Sequence, residues 1–153
     1  MRHEQEKRLD AWLALTGQTT TPTEPVELPL LTGSMLPTIP VGAMLRIGAE
    51  PATDCRAGDV VIFLEDDRLL AHRVLLVVKV GPWHWLLEKG DSNATGRWRR
   101  HNTVRGRVLG FAVDGQPNQA DPADPALASS GLRQHLVQYC KTLGGLRTNK
   151  PKA

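Results

Sequence analysis

Leu31-Thr32-Gly33-Ser34-Met35-Leu36-Pro37-Thr38 sets a serine hydroxyl on a stiffened turn. Gly33 can adopt backbone angles closed to other residues, which lets the chain turn sharply and present Ser34. Pro37 fixes its own φ and pushes Leu36 towards an extended shape. A serine so held becomes a nucleophile once a base lies within reach. Leu70-Ala71-His72-Arg73-Val74 places a histidine inside an apolar strand. An imidazole, titrating near ~6.5 in isolation, moves protons close to neutrality. Glu88-Lys89-Gly90-Asp91-Ser92-Asn93 then offers Asp91, a carboxylate able to orient a histidine and stabilise its cation. Each segment also has a plain reading: Gly-Ser and Gly-Asp-Ser-Asn are ordinary turns, and a lone histidine is ordinary in a core. The chemistry depends on their combination.

The elements that must position these groups are mostly strands. Apolar, β-branched runs at 44–47, 60–64, 69–80, 85–87 and 104–113 are separated by turn signals at Gly58-Asp59, Asp66-Asp67, Gly81-Pro82 and Gly90-Asp91. Residues 26–114 therefore read as one mainly β domain. Before it, residues 1–25 read as a helix over 3–16, with Leu9, Trp12, Leu13 and Leu15 on one side, followed by a Thr/Pro-rich linker. After it, residues 115–128 hold three prolines and read as a flexible tether. Residues 129–153 read as an amphipathic helix with a basic tail, N-capped by Ser129 or Ser130, with Leu132, Leu136, Tyr139 and Leu143 on one face and Gly144-Gly145 as its stop.

In their order along the chain, five segments resemble the type I signal peptidase family. They are Gly33-Ser34-Met35-x-Pro37-Thr38, Gly58-Asp59-Val60-Val61, His72-Arg73-Val74, Lys89-Gly90-Asp91-x-Asn93 and Gly106-Arg107-Val108-x-Gly110. Bacterial housekeeping members carry lysine where this chain has His72; the archaeal, endoplasmic-reticulum and spore-type branch carries histidine. The resemblance implies a coiled β-sheet domain and a Ser/His endopeptidase. Ser34 would be the nucleophile, His72 the general base and Asp91 its orienting acid. The Ser34 N–H and Thr32 would form the oxyanion site, where losing one donor typically costs ~10²–10³ in rate. Met35, Leu36 and Pro37 would border the substrate groove, which in this family favours small residues at the first and third positions before the cut. Ala126-Leu127-Ala128 offers such a sequence within the chain itself. The chain departs from the branch at Arg97, which stands where a second aspartate is expected. That departure keeps open the alternative of a catalytically weakened peptide-binding relative.

Composition narrows the partners. With 41% hydrophobic and 23% charged residues, the 153-residue chain has the make-up of a globular domain. No apolar run approaches the ~18 residues that cross a bilayer, and no signal-peptide core follows the charged start. The expectation is a soluble, cytoplasmic protein that acts on a propeptide or leader peptide, with peripheral contact at the inner face of the membrane left open. Beyond Asp124 there is no acid but five bases: Arg133, Lys141, Arg147, Lys150 and Lys152. Cys55 and Cys140 are too few and too distant for a disulfide framework. His3, His84, His101 and His135 show no metal-ligand spacing with them, so neither metal nor cofactor is expected. Nothing points to nucleic acid; the short stretch before Ser34 leaves no room for the DNA-binding domain of the related self-cleaving repressors. Oligomeric state is not legible.

Overall fold

Val60-Val61-Ile62-Phe63 is apolar at every position, so both of its faces must be covered. The computed structural model, which describes residues 24–48, 54–66, 68–117 and 121–146 together with Leu13, bears this out. Val60 and Ile62 enter one core with Leu30, Met35, Ile39 and Phe111, while Val61 and Phe63 enter a second with Cys55, Val74 and Leu86. Alternation with period two sends neighbours to opposite faces.

The strands are β1 (Val26–Pro29), β2 (Met44–Gly48), β3 (Val60–Glu65), β4 (Arg68–Val80), β5 (Trp83–Lys89), β6 (Arg97–Arg100), β7 (Val104–Val113) and β8 (Gln116–Pro117). They form one antiparallel sheet in the order β1-β2-β7-β3-β4-β5-β6, with β8 added to β7. The fold is mainly β, as the turn-bounded apolar runs predict. Two strands exceed that reading. β1 opens the β domain ahead of the first apolar run, and β6 is the arginine-rich Arg97-Trp98-Arg99-Arg100. The helix expected over 3–16 lies outside the described residues, apart from Leu13.

The C-terminal region corrects the sequence reading. Helix α1 spans Pro125–Leu146, starting four residues before Ser129 and running through both glycines expected to end it. Asp124 supplies the cap: its Oδ1 accepts the Ala126 and Leu127 N–H groups at 2.8 and 3.3 Å, and Pro125 takes the first helical position, where a missing N–H costs nothing. The described end of the tether, residues 121–124, is pinned rather than loose. Asp124 N–H donates to Gly58 O at 3.1 Å, Arg73 donates to Pro122 O at 2.8 Å, and Pro122 is buried. Gly58 must be glycine on two counts: its φ is +104°, and a Cβ there would lie 2.7 Å from Pro125 N. Ala126-Leu127-Ala128 lies in the first turns of α1 with Ala128 1% exposed, so it is no extended cleavage site. No helix among the described residues is long and apolar enough to cross a membrane.

Candidate active site

Gly33–Met35 forms a single 3-10 turn that ends at an extended Leu36 (φ −65°, ψ 146°), as the following proline requires. Gly33 is not in the left-handed region. Its small size serves contact instead, since a Cβ there would meet Leu36 Cδ1 at 3.2 Å. The Met35 side chain is fully buried and anchors the turn in the first core. It is therefore not a groove residue, contrary to the sequence expectation; Leu36 and Pro37 stay at the surface. Ser34 is half-buried, and its Oγ lies 3.2 Å from Thr32 Oγ1.

The turn is gripped from behind by the loop that follows β5. Ser92 N–H donates to Ser34 O at 3.0 Å, and Ser92 Oγ donates to Gly33 O at 2.9 Å. Gly90 sits so close that a Cβ would fall 2.7 Å from Ser34 O and 2.9 Å from Ser34 Cβ. Gly90→Ala must therefore move the Ser34 backbone. If Ser34 serves as a nucleophile, displacements near 1 Å cost about 10² in rate, so kcat of such a reaction should drop about a hundredfold with the fold retained by circular dichroism. Unchanged kcat would show that the turn need not hold this position.

Two buried cations hold the loop. Lys89 Nζ donates to the carbonyls of Gly90 (3.1 Å), Asp91 (3.4 Å) and Asn93 (2.6 Å). Burial lowers its pKa, with Asp91 opposing. Its three donors have three acceptors, so Lys89 is a brace and not a poised base. Arg73, fully buried, forks onto Asp91 through Nε and Nη2, both at 2.8 Å, and donates from Nη1 to Gly58 O and Pro122 O. Thr38 Oγ1 donates to Asp91 at 2.6 Å. Asp91 is thus committed to Arg73 and Thr38; it does not orient His72. Removing one partner of a buried pair strands the other's charge, so Asp91→Ala should cost about 3–5 kcal/mol in urea unfolding. A loss below about 1 kcal/mol would mean the pair is solvated.

The group on His72 is Glu88. His72 Nδ1 and Glu88 Oε2 are 2.5 Å apart, with Glu88 only 1% exposed. The β4–β5 register pairs Arg73 with Lys89, so one step further sets His72 beside Gly90 and diagonal to Glu88, within side-chain reach. Arg99 Nε donates to Glu88 Oε1 at 2.8 Å and Arg99 Nη2 to Glu65 Oε1 at 3.0 Å. Burial pushes the Glu88 carboxyl up, but the hydrogen bonds and charges of His72 and Arg99 outweigh it and leave the pKa below its ordinary value. Glu88 is therefore ionised at neutral pH. A carboxylate on Nδ1 fixes the neutral imidazole with its proton there, leaving the Nε2 lone pair to accept another. A cavity of about 200 Å³ opens beside His72, walled by Leu70, Glu88, Asn93, Thr95, Arg97 and Arg99; Ser34 is not in that wall.

The arginines of β6 divide between surface and structure. Arg97 is mostly exposed and donates to Glu65, while Arg99 lies 5.2 Å from the Phe63 ring centre. Arg100 covers both Trp83 and Trp85, so the two tryptophans share a face. Cys55 is buried and Cys140 exposed, with no disulfide between them.

Of the residues named from sequence, the structure brings Thr32 to Ser34, packs the Ser34 turn against β4, which carries His72, and separates Asp91 from the histidine's Nδ1. Glu88 was missed. Its signal was a carboxylate closing an apolar strand that turns back beside a lone histidine. No protein-family model matches the chain, and no curated protein matches it either.

Proposed function

We propose that this chain is a serine endopeptidase of the signal-peptidase type, acting on a propeptide or leader peptide after small residues through Ser34, His72 and Glu88. The observation that carries this reading is that one short segment governs both partners. Glu88 fixes the imidazole of His72, and Gly90 and Ser92, two and four residues on, hold the Ser34 turn. Ser34 Oγ attacks the scissile carbonyl while His72 Nε2 takes its proton. The tetrahedral oxygen is met by the Ser34 N–H and the Thr32 hydroxyl. His72 then protonates the leaving amine; the same nitrogen next takes a proton from water as that water attacks the acyl carbon, and returns it to Ser34 Oγ as the ester bond breaks.

The alternative, a peptide binder without catalysis, rests on Arg97 in place of a second acid. Glu88 supplies the missing carboxylate from another position, which favours the enzyme. A reducing compartment suits the unlinked cysteines, and the cytoplasm is the proposed location. The test is peptide mapping after exposure to a phosphonylating serine probe, together with alanine-rich peptides bearing small residues at the first and third positions. A single adduct on the Ser34 peptide and a cut after the small residue are expected. Silence in both assays sinks the enzyme reading.

A further inference from the structure

Helix α1 is docked along only part of its length. Over Pro125–His135 it meets the sheet: Ala128 is buried, Gly131 packs against Leu75 and Lys89, and His135 Nδ1 accepts the Gly96 N–H at 2.9 Å. Beyond His135 every residue through Thr142 is exposed. At 1.5 Å per residue, the helix runs on for about 16 Å past that last anchor. The overhang is not polar. Leu136, Val137 and Tyr139 are 52%, 55% and 56% exposed. A helical stretch as exposed as 136–142 gains little from propensity alone, so it is poised to gain from a partner.

Charge selects the partner. From Pro125 to the last residue there are five bases and no acid. A second copy would bring two such segments together and set ten bases against one another. A stable protein interface needs about 800 Å² from each side. A lipid surface asks for less. It offers anionic headgroups for the bases and an apolar layer beneath for a few side chains, and a tyrosine ring suits the boundary between them. We infer that the distal half of α1 docks on an anionic membrane surface through Leu136, Val137 and Tyr139, with Arg133 and Lys141 engaging the headgroups. The docking is independent of whether Ser34 is a nucleophile.

The experiment is co-sedimentation of the full chain with phosphatidylcholine vesicles, pure or with a roughly one-third share of phosphatidylglycerol. The anionic vesicles should bind at least about tenfold more protein, with the excess lost in high salt. Leu136→Gln with Tyr139→Gln should remove most of that binding. Both sites are more than half exposed, so the thermal midpoint should hold. Should that pair unfold, Arg133→Gln with Lys141→Gln decides by the charge arm, with at least a severalfold loss expected. Equal binding to both vesicle types, binding untouched by either pair, or a solution dimer that these changes dissolve would each overturn the proposal.

Discussion

Ser34→Ala and His72→Ala should each lower kcat for peptide cleavage by about 10⁴–10⁶, and the double substitution should cost no more than the worse single one. The reason is that the two side chains act on one proton. Without the imidazole, Ser34 stays a poor nucleophile; without the hydroxyl, the imidazole has nothing to deprotonate. What survives is binding and the oxyanion site, for which Thr32, with its Oγ1 3.2 Å from Ser34 Oγ, is the proposed side-chain donor. The thermal midpoint of Ser34→Ala should stay close to wild type, since Ser34 is half-buried and its backbone, not its hydroxyl, carries the bonds to Ser92; His72→Ala leaves the buried Glu88 carboxylate to Arg99 and should lower it. Steady-state kinetics on one peptide across the three variants checks this. Losses that multiply in the double variant would mean that the residues act separately. Activity surviving His72→Ala would move the base elsewhere, and Lys89 is a poor candidate because its ammonium is spent on three carbonyls.

The strands are legible because the chain alternates or runs apolar between clear turn signals; the placing of β7 between β2 and β3 and the register shift between Val74 and Leu76 are not. Ser34 and His72 stand out only in combination, since each motif alone is an ordinary turn or strand residue; the fold packs the Ser34 turn against β4, which carries His72. The acid was not legible. Asp91 sits in a Gly-Asp-Ser-Asn turn that invites a functional reading, yet the fully buried Arg73 claims it. An arginine in a strand reads as surface until the fold places a sheet, a turn and the start of a helix around it. Glu88 suffers the reverse error. A glutamate beside a lysine reads as a solvated pair, and only the diagonal step across β4 and β5 puts it on the histidine. The tether failed for the same reason: three prolines indicate a loop, but burial of Pro122 and the cap at Asp124 are tertiary facts.

Glu88→Gln should lower kcat by about 10³–10⁴ while leaving the fold intact. Arg99 Nε donates to one Glu88 oxygen, so a glutamine would keep that acceptor on its carbonyl. Its amide would then point at His72 Nδ1 and donate where the carboxylate accepted. The imidazole would be forced to carry its proton on Nε2, where it can no longer take one from Ser34 Oγ. The loss is therefore one of tautomer, and KM should move far less than kcat. Asp91→Asn is the discriminating partner. It should weaken the fold through Arg73 and leave the pH–rate profile of the surviving enzyme in place. The acid limb of stability separates the two again. The Glu88 pKa is lowered in the folded state, so its stabilisation is whole above the ordinary value of 4.5 and is lost as pH falls through the lower, folded value. Stability of Glu88→Gln should thus fall less steeply with acid than that of the wild type, measured by urea unfolding on both sides of that value. Full activity in Glu88→Gln would remove the carboxylate from the mechanism, and a tautomer-dependent loss in Asp91→Asn would return the orienting role to Asp91.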